Sequence, residues 1–220
     1  MDEIIIRLAR AIACLPRLWI LAYLAIHGEV IPTVLAAKLR MARSAMSMHL
    51  KVLCAVGLIR GRRSGARCHY AFISPYGEQT LSGSMARWLC QVLKEGAQKE
   101  SHRGVHELRD GSPRASHASL HATIFQAATA FTDLRRLQIL RYLETHDEAT
   151  VENLRNELKM SRDAVFRHTD KLRRRGLLRV QAMADGSFAF SLAREYKTPI
   201  HEQMHAIVRG CWKKKASRSS

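Results

Sequence analysis

Two groups of residues in this 220-residue chain have the types and spacing to do chemistry. The first is the string His201-Glu202-Gln203-Met204-His205. On a helix, histidines four apart share a face and can hold zinc, with the glutamate between them as a general base for peptide hydrolysis. His117 and His121 form a second pair at the same spacing, and two such pairs on adjoining helices would supply enough ligands for a zinc site. Against this, the string lies in the last helical stretch, which leaves no sequence for a third ligand and a substrate cleft. A five-residue pattern with two free positions also arises by chance, and exposed histidines on a basic protein explain both pairs more plainly. The chain has neither a Gly-rich phosphate loop nor a G-x-S-x-G nucleophile. The expectation is a binding protein with no catalytic residues, no cofactor and no bound metal.

The second group is cationic. Lys and Arg number 36 against 19 Asp and Glu, a formal charge of +17. The excess is spread over both halves, with 16 basic against 8 acidic residues up to Asp110 and 20 against 11 after it. Arg43, Ser44, Ser47, Met48 and Lys51 fall on one face of a helical stretch, and Arg162, Asp163, Phe166, Arg167, Asp170 and Lys171 on one face of another. A guanidinium at Arg43 or Arg162 can bond both acceptors of a guanine edge or simply hold a phosphate, and the residues leave both open. Arg60, Arg62, Arg63 and Arg67 flank the first stretch, and Arg173, Arg174, Arg175 and Arg179 the second. Clustered arginines suit phosphate neutralisation and minor-groove insertion, so double-stranded DNA is the expected partner.

The elements that must position these residues occur twice. Sliding the chain by 119 residues superposes Arg17–Arg60 on Arg136–Arg179 without a gap, and 18 of the 44 positions are identical. A repeat this long denotes two tandem domains and not a solenoid. Each copy opens with apolar residues three and four apart (Leu18, Leu21, Leu24; Leu137, Leu140, Leu143), then a second helix near Leu35 or Leu154. A third helix begins near Ala42 or Ser161, turns Met46, Leu50 and Leu53 or Val165 and Leu172 inward, and stops at Gly57 or Gly176. Two short strands joined by a polar turn follow, at Ser64-Gly65 and Asp185-Gly186. The predicted fold is therefore mainly α with small β-hairpin wings: two tandem winged helix-turn-helix domains, at 1–98 and 119–212, with a polar linker at 99–118 and a basic tail at 213–220.

The composition is 47% hydrophobic, enough for two cores. No apolar run is long enough to span a bilayer, and the acidic start Met1-Asp2-Glu3 does not suit a secretory signal, so a cytoplasmic protein away from membranes is expected. Five scattered cysteines without C-x-x-C spacing suggest neither a disulfide framework nor a thiolate zinc site.

The run Met41-Ala42-Arg43-Ser44-Ala45-Met46-Ser47-Met48-His49-Leu50-Lys51-Val52-Leu53, then Gly57-Leu58-Ile59 and Arg62-Arg63-Ser64-Gly65, resembles the ArsR-type winged-helix repressors. The resemblance covers Leu8 to Gln98 and, more loosely, Leu120 to Lys213. It implies a sequence-specific transcription regulator, by family habit a repressor. Members that sense metal through thiolates carry cysteines on the second helix, and neither Glu29–Leu35 nor Glu148–Leu154 has one. A second family site uses His and carboxylates of the last helix, where His201, Glu202 and His205 stand. Repeat 2 departs from the pattern at Phe166, Thr169 and Asp170, and an acidic Asp170 on the DNA side would weaken binding. The family's dimers pair first and last helices. Here Ile4–Ala13 with Leu81–Leu93, and Leu120–Phe131 with Ile200–Trp212, could make one chain a pseudo-dimer on a non-palindromic site, or could join two chains as a homodimer. The competing readings are a plasmid-type replication initiator or architectural DNA-binding protein, a protein-docking module, which the charge argues against, and a zinc protease resting on one short string.

Overall fold

The computed structural model describes residues 1–102, 118–184 and 186–216. Two compact units emerge, one of Ala11–Phe125 and one that joins Met1–Arg10 with the segment from Gln126 onward. The first contains repeat 1. After α1 (Asp2–Ile12) come α2 (Leu15–His27), α3 (Pro32–Lys38), α4 (Arg43–Ala55), the hairpin β1 (Arg60–Ser64) and β2 (Arg67–Ala71), and α5 (Leu81–His102). Repeat 2 follows α6 (Ala118–Thr129) with α7 (Leu134–Leu143), β3 (Ala149–Thr150), α8 (Val151–Leu158), α9 (Arg162–Arg174), β4 (Leu178–Ala182), β5 (Phe188–Leu192) and α10 (Pro199–Ala216). The helix, helix, helix, hairpin order of two tandem winged helices is as predicted.

Prolines at the first turns of α2 and α3 set their starts, since a missing N–H costs nothing there. Leu18, Leu21, Leu24, Leu35, Met46, Leu50 and Leu53 are buried together with Leu89 and Leu93 of α5. In the other unit Leu137, Leu140, Leu154, Val165 and Leu172 are buried with Met204 and Val208 of α10. Each repeat's core is thus built from one apolar stripe per helix.

The duplication persists in the hydrogen bonds. Arg17 Nε donates to the Ala11 carbonyl at 2.6 Å, and Arg136 Nε to that of Ala130 at 3.0 Å. Both third helices end in one motif: Leu58 N–H bonds the Leu53 carbonyl and Gly57 N–H that of Cys54, as Leu177 does to Leu172 and Gly176 to Arg173. Gly57 and Gly176 both have φ of 71°, the left-handed conformation this stop requires. Alanine at either position is expected to cost about 1–2 kcal/mol for that backbone alone. A Cβ on Gly57 would lie 2.3 Å from the exposed Tyr76 ring, which can swing away. On Gly176 it would meet Lys197 Cβ at 2.7 Å and the Lys197 backbone nitrogen at 3.1 Å, which cannot move as freely. Chemical denaturation should therefore find Gly176→Ala the costlier change.

Three features differ from the sequence expectation. α5 runs to His102 and α6 begins at Ala118, so helix enters both ends of the stretch read as linker, while 103–117 lie outside the described residues, as does Asp185 of the second wing turn. α10 continues through Ala216, so Lys213, Lys214 and Lys215, read as the start of the basic tail, are helical. A short pairing precedes the second helix of each repeat: Val30 makes an isolated bridge to Tyr70 in repeat 1, and the two-residue β3 pairs with β5 in repeat 2. Two residues are too short to show alternation, which is why periodicity misses it.

Candidate nucleic-acid interface

α4 follows α3 through a turn in which Arg40 takes φ of 47°, and Lys159 occupies the same place before α9 with φ of 51°. With Met46, Leu50 and Leu53 turned into the core, α4 exposes Arg43, Ser44, Ser47, Met48 and Lys51 along one face. Met48 is 66% exposed, which leaves its apolar side chain on the same surface as Arg43 and Lys51. No carboxylate interrupts that face. β1 exposes Arg60, Arg62 and Arg63, and Arg67 begins β2 across a two-residue turn. A carboxylate grips Arg62 through two hydrogen bonds: Nε and Nη2 donate to the two oxygens of Glu29, each at 3.1 Å. The guanidinium holds the Glu29 carboxyl below its usual range.

In repeat 2 the Ser161 hydroxyl accepts from Ala164 N–H and caps α9, a bond Ala42 cannot make for α4. Arg162, Asp163 and Arg167 are exposed, whereas Phe166, Asp170 and Lys171 are half-buried. The Arg162 guanidinium lies 5.7 Å from the Phe166 ring centroid, a cation–π contact. Asp170 is neutralised along its own helix, with Arg173 at 2.8 Å and Arg174 at 2.7 Å. These pairs pull its carboxyl pKa down, the Arg173 hydrogen bond most. The acid expected to repel DNA therefore occupies two of the arginines expected to attract it. Arg175 is half-buried, and its charge is the main influence lowering the pKa of Lys171. Arg179 is exposed on β4, where its neighbours Val180, Gln181 and Ala182 are uncharged. The two wings are thus unlike: four arginines on the first, one on the second.

The histidine string is organised differently from its sequence reading. His201 and His205 are buried and not exposed, as is His121, while Glu202 is exposed. His201 Nδ1 shares a hydrogen bond with Thr198 Oγ1 at 2.9 Å, and His205 Nδ1 with the Tyr196 hydroxyl at 2.8 Å. His205 Nε2 lies 3.6 Å from Glu144 Oε1, and the other Glu144 oxygen pairs with Arg209 at 3.1 Å. Burial pushes His205 down to about 4, the neighbouring Arg209 charge adding to it. These histidines pack the core of repeat 2, since α10 turns its apolar face inward and the i, i+4 spacing places both on it. Among the described residues no group of three or more His, Cys, Asp or Glu side chains could hold a metal ion. His117 lies outside the described residues.

Sequence reasoning missed the Glu29 clamp on Arg62 and the Asp170 pairs. The first had a faint signal, since Glu29 and Glu148 are identical in the two repeats. The second was legible as Asp-x-x-Arg-Arg spacing on one helix.

Two helix-turn-helix units, each with an exposed third helix and a β-hairpin, define a tandem winged-helix protein of the DNA-binding transcription-regulator class. The sequence model of the MarR family matches twice, at residues 15–67 and 132–186, once on each repeat. That match makes no assignment to the ArsR type. Among solved structures, reduced HlyU from Vibrio cholerae N16961 is similar at 27% identity over 42% of this chain and 92% of its own, with a TM-score of 0.35. A second HlyU structure from the same organism matches at 28% identity over 40% and 90%, with a TM-score of 0.33. No curated protein matches the sequence. Among the described residues no helix is long and apolar enough to cross a membrane.

Proposed function

We propose that the protein is a sequence-specific transcriptional repressor of the ArsR-like kind that acts in the cytoplasm by binding alone, without enzymatic chemistry. One chain reads DNA as a pseudo-dimer, its two third helices set in successive major-groove turns. The observation that carries the DNA reading is the α4 face, on which Arg43, Ser44, Ser47, Met48 and Lys51 stand exposed beside the arginine wing. Guanidinium and ammonium groups supply phosphate and guanine contacts, and the small hydroxyls between them let the helix approach base edges closely.

Support for the pseudo-dimer comes from the head of the chain. Residues 1–10 precede repeat 1, yet they pack in the unit that holds repeat 2. Asp2 accepts a hydrogen bond from Trp212 Nε1 and pairs with Arg141, each at 3.3 Å, and Arg10 Nε donates to the Thr132 carbonyl at 3.0 Å. A first helix that completes the other repeat's fold is what exchange between dimer partners becomes when both lie in one chain. The ArsR-like assignment rests on the Met41–Leu53 run.

Binding-site selection with the full chain at about physiological salt, where non-specific phosphate attraction is partly suppressed, tests the reading. One sharp motif of two unlike half-sites is the expected result. Salt-sensitive, sequence-blind binding would replace this reading with an architectural role.

A further inference from the structure

The two recognition helices share Arg43 and Arg162 but differ in the next residue, Ser44 in one and Asp163 in the other. A carboxylate on a helix that approaches DNA is costly, because every nearby phosphate repels it. Repeat 2 removes that cost at Asp170 by pairing it with Arg173 and Arg174. It does not do so at Asp163, which is exposed and makes no hydrogen bond or ion pair with any described residue. Arg167, one turn on at i+4 and also exposed, forms no ion pair with it, and Arg162 is directed along the helix to the Phe166 ring. Asp163 thus stands in the first turn of α9 as an acceptor with no donor, at the place where a recognition helix presents side chains to base edges.

We infer that Asp163 is a specificity-determining residue that requires an amino base, cytosine or adenine, at one position of the second half-site. An ionised carboxylate only accepts hydrogen bonds. In the major groove cytosine offers the N4 amino group and adenine the N6 amino group, whereas guanine presents O6 and N7 and thymine O4, all acceptors. Asp163 therefore gains a hydrogen bond from the first pair and meets repulsion from the second. Ser44, which both donates and accepts, imposes no such rule on repeat 1. The two half-sites differ at this position for that reason. The inference rests on the DNA reading proposed above.

The test compares wild type with Asp163→Asn and Asp163→Ser by competition binding on a selected site, every base of the second half-site varied in turn, with thermal melts alongside. Wild type should favour C or A over G or T at one position by at least about fivefold, the low end for a good base-edge hydrogen bond. Asp163→Ser should lose that preference at that position alone, and Asp163→Asn, which donates as well as accepts, should lose the rejection of G and T while still accepting A, each with overall affinity equal or higher. A uniform change in affinity with a shifted melt, which a purely helix-stabilising first-turn acid would give, overturns the inference. So does the disappearance of a preference for G or T. Selection of the first half-site without a second also overturns it while leaving DNA reading intact, whereas sequence-blind binding overturns both.

Discussion

Replacing Arg43 and Lys51 together by alanine is expected to abolish most of the protein's discrimination between its site and random DNA while leaving the fold intact. Both side chains are exposed on α4 and neither contributes to the core, so melting should barely change. Removing a good bidentate bond to a base edge costs about 1–3 kcal/mol, or roughly 5- to 150-fold in affinity. Competition binding against scrambled DNA checks the effect, and unchanged discrimination would remove repeat 1 as a reading head. Arg63→Ala makes the complementary case. A wing arginine that only meets phosphate should weaken specific and random binding alike, and lower the salt dependence by about one counterion.

The second large effect concerns acid. His205 is fully buried with a pKa of about 4, whereas an unfolded histidine titrates near its ordinary value. Between those values the unfolded chain binds a proton that the folded chain excludes, so stability rises with pH across the window and is lost as pH falls from about 6.5 toward 4. Burial outweighs the Glu144 carboxylate 3.6 Å away, which burial itself holds above its usual range. The raised Glu144 pKa works in the opposite sense and offsets part of the loss at the acid end. His168 and His201, both lowered mainly by burial, add to the loss. Denaturant titrations should show the unit holding repeat 2 losing about 2 kcal/mol between pH 7 and 5 from His205 alone. His205→Leu should flatten most of that slope, and equal stability of wild type at the two pH values would contradict a neutral, buried His205.

Much of this architecture could be read from the sequence because it is repeated. Leu53, Gly57 and Leu58 recur as Leu172, Gly176 and Leu177, and two copies of one helix stop expose a pattern that a single copy would leave weak. The exposed face of α4 followed from period alone, since Met46, Leu50 and Leu53 define the opposite side. Illegible features depended on which polar groups meet across the fold. Glu29 and Arg62 are separated by the whole helix-turn-helix, and nothing local joins them. The histidine string misled because i, i+4 spacing places two side chains on one helix face without saying whether that face looks to solvent or core. Helical periodicity in α10, with Met204 and Val208 buried beside His205, contained the answer. Residues 1–10 packing with the second repeat had no signal in composition or period.

Whether a single chain reads two unlike half-sites can be seen in a hydroxyl-radical footprint of the full chain on a selected site, with the stoichiometry of the complex measured by native mass spectrometry. One chain per site is expected, with two protected segments about one helical turn, roughly 34–36 Å, apart, the second fading when Arg162 and Arg167 are replaced by alanine. One protected segment, or two chains on a palindrome, would contradict the pseudo-dimer.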